Sequence, residues 1–251
     1  MSRAISAADR RRLISVLRWD WSNQFRQNMV SATILSTAAL LAIALLAPSR
    51  PLAPEHTTLL LLIDPAAVGL GFVGAAIFLE RSAGVIQAIG AAPSPLWIYV
   101  ASKSLLFGGI GTAAGLLVAF AATDFWSQGG IGAAAATVAG LVLSNFCGAL
   151  FGLGMATHAR SMNGFLMRTG FASTPLALPP ALMLIYGLDA AHPLIWLIPS
   201  APMTYLFAIG GGAPGSLTGA VASIALLALW TALSWRFALR GLSGLLARGG
   251  A

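Results

Sequence analysis

The chain has 251 residues, of which 58% are hydrophobic and only 8% are charged, and its formal net charge is +7. Soluble domains carry about a quarter charged residues, so this composition excludes an ordinary water-soluble fold and is typical of an integral membrane protein. No cluster of basic residues on a soluble domain is present, which excludes a nucleic-acid partner. The single cysteine, Cys147, lies in an apolar run and can supply neither an intrachain disulfide nor a thiolate metal cluster.

Residues 1–28 predict an amphipathic helix at the cytoplasmic membrane surface. They are not a signal peptide, because a long mixed segment precedes the first apolar stretch. Ser6 and Asp9 have the spacing of a capping box. The apolar side repeats every four residues, at Leu13, Leu17, Trp21 and Phe25. Arginines occupy another side of this helix, where they can face anionic lipid and water. The alternative is a soluble helix that packs on a partner.

Apolar segments then predict an all-α integral membrane domain over residues 29–237, with six transmembrane helices, followed by a basic cytoplasmic tail at 238–251. The six predicted spans are 29–47, 57–79, 96–122, 131–157, 171–188 and 217–237.

Charge orients these spans. All of the 14 Lys and Arg residues except Arg50 fall on one predicted side. Because short loops rich in Lys and Arg stay cytoplasmic, both termini are expected there. Segment 189–215 is apolar but contains Pro199 and Pro202. If it spanned, the tail arginines would lie outside, so we predict an outer hairpin, either re-entrant or interfacial.

The chain lacks the sequence motifs of several enzyme classes. It contains no G-x-x-x-x-G-K-[ST] phosphate loop, and Lys103 is its one lysine, so an ATP site of that kind is excluded. Its histidines, His56, His158 and His192, fall in predicted loops on different sides of the membrane. We therefore expect no catalytic residues and no metal site.

The predicted inner turn at 80–95 has the features of a mechanical contact. Glu80 and Arg81 stand where the second span leaves the membrane, and Lys103 is close enough to the inner end of the third span to snorkel. Between them lies a short helix with an apolar side, ended by a glycine and proline break. That apolar side consists of Val85, Ile86 and Ile89.

This stretch, "FLERSAGVIQAIGAAPSPLWIYVASK", resembles the membrane subunits of type-2 ABC exporters. In that family an E-R/K-x-x-G motif, a following proline and a lysine entering the third span mark the helix that couples to the ATP-binding subunit. Within the family the chain, including "ARSMNGFLMR", resembles fluoroquinolone or drug export permeases. Val85 stands where the family usually has threonine. The resemblance implies coupling roles for Glu80, Arg81, Gly84, Val85, Ile86, Ile89, Pro93 and Lys103.

The resemblance also implies partners and location. It implies a permease in the bacterial inner membrane, a second permease copy or paralogue, and a separate cytoplasmic ATPase that holds ATP and Mg; this chain would hold no cofactor. The cargo would be a hydrophobic or amphipathic drug, lipid-like molecule or peptide. The alternative function is a non-transporting membrane scaffold or assembly factor bound to a cytoplasmic ATPase.

Two polar residues inside the spans are candidates for a translocation path. Asp64 lies in the second span, where a carboxylate is costly unless it faces the bundle interior or a wet cavity. Its structural alternative is an acid that is protonated or bonded to a freed backbone amide. Asn145 lies in the fourth span, and its alternative role is an interhelical hydrogen bond.

Overall fold

The computed structural model describes residues 6–64, 70–92, 94–123, 130–187 and 193–248. These residues form a helical bundle, with no strand in the described ranges. The α-helices are α1 (Ala7–Arg26), α2 (Met29–Leu46), α3 (Pro54–Asp64), α4 (Val73–Ser82), α5 (Val85–Ala91), α6 (Leu96–Ala122), α7 (Gly130–His158), α8 (Met162–Tyr186), α9 (Ser200–Gly210) and α10 (Leu217–Ala247), and a 3₁₀ helix covers Pro193–Leu197.

Four of these helices are long and apolar enough to cross a membrane: α2, α6, α7 and α10. They match the first, third, fourth and sixth predicted spans. A fifth crossing is obtained if Leu70–Ser82 and Val85–Ala91, which meet at an angle of 76°, are counted as one bent span. The all-helical class is confirmed, while the number of six spans stays a prediction.

The other two predicted spans differ from simple rods. The second is divided between α3 and α4, and residues 65–69 between them lie outside the described part of the chain. Residues 171–186 of the fifth lie in α8, which begins at Met162 and so includes most of the predicted inner loop. Helix α8 contains three prolines, each of which removes a backbone donor and lowers the regularity of the helix.

The helix ends define two ends of the bundle. At one end the Leu52 amide donates to the Ala122 carbonyl over 3.0 Å. At the opposite end α5 and the end of α10 meet, since a Cβ on Gly90 would lie 2.7 Å from the Leu246 side chain. Leu17 of α1 joins the apolar cluster at this same end. We call it the α1 end, and both ends of the described chain lie there.

Helix α1 begins as predicted but buries an unexpected side. The Asp9 amide donates to Ser6 Oγ over 3.1 Å and the Ser6 amide to Asp9 Oδ2 over 3.3 Å, which confirms the capping box. Trp21 and Phe25, expected on one apolar side with Leu13 and Leu17, are 47% and 49% exposed. The residues that α1 buries are polar: Asp20 and Gln24.

The hairpin segment enters the bundle. The Trp230 indole donates to the Leu197 carbonyl over 3.0 Å, and Trp230 lies about 20 Å along α10 from its first residue. Helix α9 then runs back to the end of the bundle away from the α1 end, where a Cβ on Gly211 would lie 3.0 Å from Pro54 Cα. Most of α9 is buried, so this part of the hairpin is covered by the rest of the protein. Its depth in a membrane stays a prediction.

Candidate functional site

A cluster of buried charges joins three helices near the α1 end. Lys103 of α6 is fully buried, and its ammonium nitrogen donates to Asp20 Oδ1 of α1 over 2.7 Å. The same nitrogen pairs with Glu80 Oε1 of α4. We call Asp20, Glu80 and Lys103 the buried triad. The expectation that Lys103 snorkels is wrong, because its side chain points between helices and has no exposed surface.

Two hydroxyl groups complete the coordination of the carboxylates. Tyr99 OH donates to Glu80 Oε2 over 2.7 Å, and Ser102 Oγ donates to Asp20 Oδ2. Lys103 Nζ also lies 5.3 Å from the centroid of the Tyr99 ring, a cation–π distance. Each carboxylate therefore accepts two charge-assisted or hydroxyl hydrogen bonds, and the ammonium serves both.

The triad is energetically sensitive because its charges are paired with each other and buried away from solvent. Burial of a charge costs several kcal/mol, which a partner at hydrogen-bond distance offsets. Removing one partner of such a pair costs about 3–5 kcal/mol, since the other charge is left buried. Helices α1, α4 and α6 are therefore held in one relative position by directional contacts. Separating these helices would leave buried charges without their partners.

A second polar junction closes the same end. Arg81 Nη1 donates to the Ala159 carbonyl over 2.8 Å, and Arg168 Nη1 donates to the His158 carbonyl over 2.7 Å. Both carbonyls lie at the end of α7, where backbone acceptors lack helical partners and attract cations. Glu80 and Arg81, adjacent in sequence, thus tie α4 to different neighbours.

The predicted coupling segment is a bounded helix, as expected. Gly84 has φ 73°, a left-handed conformation that favours glycine, and it begins α5 after the sharp bend from α4. The apolar side of α5 faces the bundle, and the coupling roles expected for these residues stay predictions. Ile86 is fully buried in the apolar cluster of its own chain, and Ile89 packs against that cluster. The opposite side of α5 exposes Gln87 and Ala88.

The path candidates are separate from the triad. Asn145 is buried between α6 and α7, donates to the Leu141 carbonyl over 3.1 Å, and contacts the helix surface at Gly111. This hydrogen bond lies within one helix, and Asn145 Oδ1 has no hydrogen-bond partner among the described residues, so the interhelical bond and the translocation role both stay predictions. Asp64 ends α3, but its side chain lies outside the described residues, as does Pro93. Among the described residues, no three His, Cys, Asp or Glu side chains are close enough to hold a metal ion.

Asp20 is the part of the site that sequence reasoning missed. Its signal was present: Leu13, Leu17, Asp20 and Gln24 recur at the spacing of one helix side. The apolar residues Trp21 and Phe25 suggested a neighbouring side instead. A carboxylate on an amphipathic helix ordinarily faces water, so only the position of Lys103 reveals that Asp20 is the buried one.

Comparison with known proteins adds independent information. Two curated relatives from Mycobacterium tuberculosis, strains CDC 1551 / Oshkosh and H37Rv, are 35% identical to this chain over 94 residues. Both are named fluoroquinolones export permease protein. The chain is similar to export permeases. This similarity confirms the resemblance to drug export permeases, and the long apolar helices indicate a multi-pass membrane protein.

The extent of that similarity is limited. It covers 37% of this chain and 38% of the length of each permease relative. No protein-family model matches the chain, and no solved structure matches it.

Proposed function

We propose that this chain is the membrane subunit of an ATP-driven exporter. It would act in the bacterial inner membrane with both termini in the cytoplasm, pair with a second permease copy or paralogue, and dock a separate ABC ATPase that binds ATP and Mg. Its cargo would be a hydrophobic or amphipathic molecule. The observation that carries the proposal is the buried triad, which binds the peripheral helix α1 to two bundle helices beside the bent α4 and α5 pair.

The triad supports this function because a cytoplasmic ATPase can drive an exporter only through a rigid connection between its docking surface and the transmembrane helices. A push on α5 is passed to α4 across a short turn at Ala83 and Gly84. Movement of α4 carries Glu80, and the ion pairs with Lys103 oblige α6 and α1 to follow. Glu80 and Lys103 would therefore act in coupling as positioning residues inside the chain, with no direct contact to the ATPase.

The docking surface would be the exposed side of α5. Ala88 is exposed there, and replacing it with glutamate adds bulk and charge without disturbing the buried Ile86 side. Ser49, exposed at the opposite end, gives a matched control. Tagged full-length chain, purified from native membranes in mild detergent, should retain an ATPase subunit. Ala88→Glu should lose at least about tenfold of that subunit, whereas Ser49→Glu should keep it.

Transport separates the exporter from the scaffold. Inside-out vesicles that hold the complex should take up a fluoroquinolone or a neutral lipophilic dye when ATP is supplied, and vanadate should stop uptake. The cargo should also stimulate hydrolysis. The complex could instead be stable but show no change of ATP hydrolysis with any cargo and no uptake into vesicles. That result would favour the scaffold and contradict the exporter.

A further inference from the structure

A cavity that shares no lining residue with the triad has the size of a ligand site. Its volume is about 510 Å³, and it lies between α3, α7, α8, α9 and α10. Small-molecule sites occupy about 300–1,000 Å³ and are lined mainly by apolar side chains with a few polar groups. Phe151, Leu62, Met203 and Trp230 form much of this wall. We call it the apolar cavity.

The lining has no charge among the described residues. Its polar members are four serines and Cys147, and their hydrogen-bonding capacity is mostly used within the protein. Ser144 donates to the Leu141 carbonyl over 3.3 Å, and the Cys147 and Ser234 side chains contact each other over 3.7 Å. An ionised ligand placed here would lose its hydration without gaining a counter-charge, which is strongly unfavourable.

One lining group remains unsatisfied. Ser200, in the first turn of α9, is 6% exposed, and its hydroxyl has no hydrogen-bond partner among the described residues. A buried hydroxyl without a partner costs free energy. Because no described residue bonds this hydroxyl, rotation about the Ser200 Cα–Cβ bond can present it to the cavity beside it. A ligand with one hydrogen-bonding group would then remove the cost.

We propose that the apolar cavity binds a neutral, largely apolar small molecule that makes one hydrogen bond, to Ser200. Entry is from the bilayer side, since Leu59 and Ile63 on the rim are each 47% exposed. The ligand is a cargo only if the proposed function holds, but its binding is independent of that function. A charged fluoroquinolone does not fit this description, because its carboxylate meets no cation in the described lining.

Benzophenone is a suitable probe because it is neutral, aromatic, bears one carbonyl acceptor and inserts into C–H bonds on illumination. The full-length chain in lipid nanodiscs, without any ATPase, is illuminated with benzophenone, with its trimethylammonium derivative, and with 4-benzoylbenzoate. Labelled residues are mapped by mass spectrometry. The neutral probe should label cavity residues, Met203 among them, at least tenfold more than either charged probe. Equal labelling by a charged probe would overturn the proposal.

Variants locate the binding. Ala181→Trp, at an exposed lining position, and Gly148→Leu, within the lining, should each reduce labelling at least fivefold by occupying the space. Gly109→Leu is the matched control, because a Cβ there meets nothing within 4 Å and Gly109 is outside the cavity. Ser200→Ala should weaken the probe's affinity about three- to tenfold. Ser104→Ala, a buried serine that donates to the Ala101 carbonyl, should leave it unchanged.

Other occupants give different results. If labelling disappears as the phospholipid content of detergent micelles is raised, acyl chains fill the cavity and the proposal fails. If it disappears only when two copies are cross-linked, the second copy is the occupant, and the proposal fails equally. Because no ATPase is present, a positive result here and a negative transport result would refute the exporter alone.

Discussion

The buried triad and the apolar cavity lie in one bundle but differ in charge and in access from outside the protein. The triad is closed to water, contains two carboxylates and one ammonium, and is satisfied by Tyr99 and Ser102. The cavity is open at its rim, and its described lining is uncharged. Charged hydrogen bonds are directional, so they hold helices in one arrangement, whereas apolar contacts depend little on orientation and can accept varied molecules. The difference assigns mechanical rigidity to one region and ligand tolerance to the other.

The largest effect should come from removing the central cation of the triad. Lys103→Met keeps the volume but leaves Asp20 and Glu80 buried together without a counter-charge. The free energy of unfolding should fall by about 3–5 kcal/mol. Circular dichroism during SDS titration of the purified chain measures this. Arg50→Met is the control, because Arg50 is exposed and makes one hydrogen bond to the Ala121 carbonyl, so its loss should change stability by less than about 1 kcal/mol.

A rescue distinguishes lost pairing from lost packing. Adding Asp20→Asn and Glu80→Gln to Lys103→Met removes all three charges, and a large part of the lost stability should return. If Lys103→Met unfolds like the wild type, the triad is not buried as described. If the neutral triple variant recovers nothing, packing rather than charge accounts for the loss.

Placing a charge in the cavity should have the next largest effect and tests its neutral character. Cys147 is 4% exposed and lines the cavity, so Cys147→Asp introduces a carboxylate where no cation is described. Its cost should be about 2–4 kcal/mol in the same titration. Cys147→Ser, which resembles the neighbouring serines, should cost much less. An aspartate tolerated as well as serine would mean that the cavity accepts charge and that the comparison with the triad is wrong.

Removing the two carboxylates of the triad one at a time tests whether its ion pairs stabilise the bundle together. Asp20→Asn and Glu80→Gln each leave Lys103 one carboxylate, so each should cost about 1–3 kcal/mol. The double variant leaves the buried ammonium without any carboxylate, and its cost should exceed the sum by at least about 0.5 kcal/mol. A double-mutant cycle on the purified chain gives this coupling energy. Strict additivity would show that the two ion pairs act independently.

The smallest effect should come from the exposed side of α1. Trp21 and Phe25 contact each other, with ring centroids 5.1 Å apart, but pack little on the protein. Changing both to serine should shift the free energy of unfolding in detergent by about 0.5 kcal/mol or less. In nanodiscs the same change should speed amide exchange along α1, if these rings contact lipid. Leu17→Ser, on the packed side, should instead destabilise the chain in detergent as well.

The prediction of the fold from sequence succeeded where one local property decides structure. Ser6 and Asp9 cap α1 because a helix start needs only the adjacent side chains. Residues 96–122, predicted as the third span, form α6 over Leu96–Ala122, because a long apolar run must satisfy its backbone internally. The prediction failed where a side chain could face any of several distant neighbours. Val85, Ile86 and Ile89 form one side of a short helix on any reading, yet the sequence does not say whether that side faces a partner or its own chain.

The sequence by itself therefore determined the composition class, the cap of α1 and the bounds of α2, α6 and α7, since these depend on hydropathy and on residues close in the chain. The tertiary structure alone decided that Asp20, Glu80 and Lys103 meet, across separations of up to 83 residues. It also decided that Ile86 is internal and that α9 folds back over the bundle to bound a cavity. The physical reason is that the free energy of a buried charge or apolar side chain depends on which distant group lies beside it, and no local pattern records that neighbour.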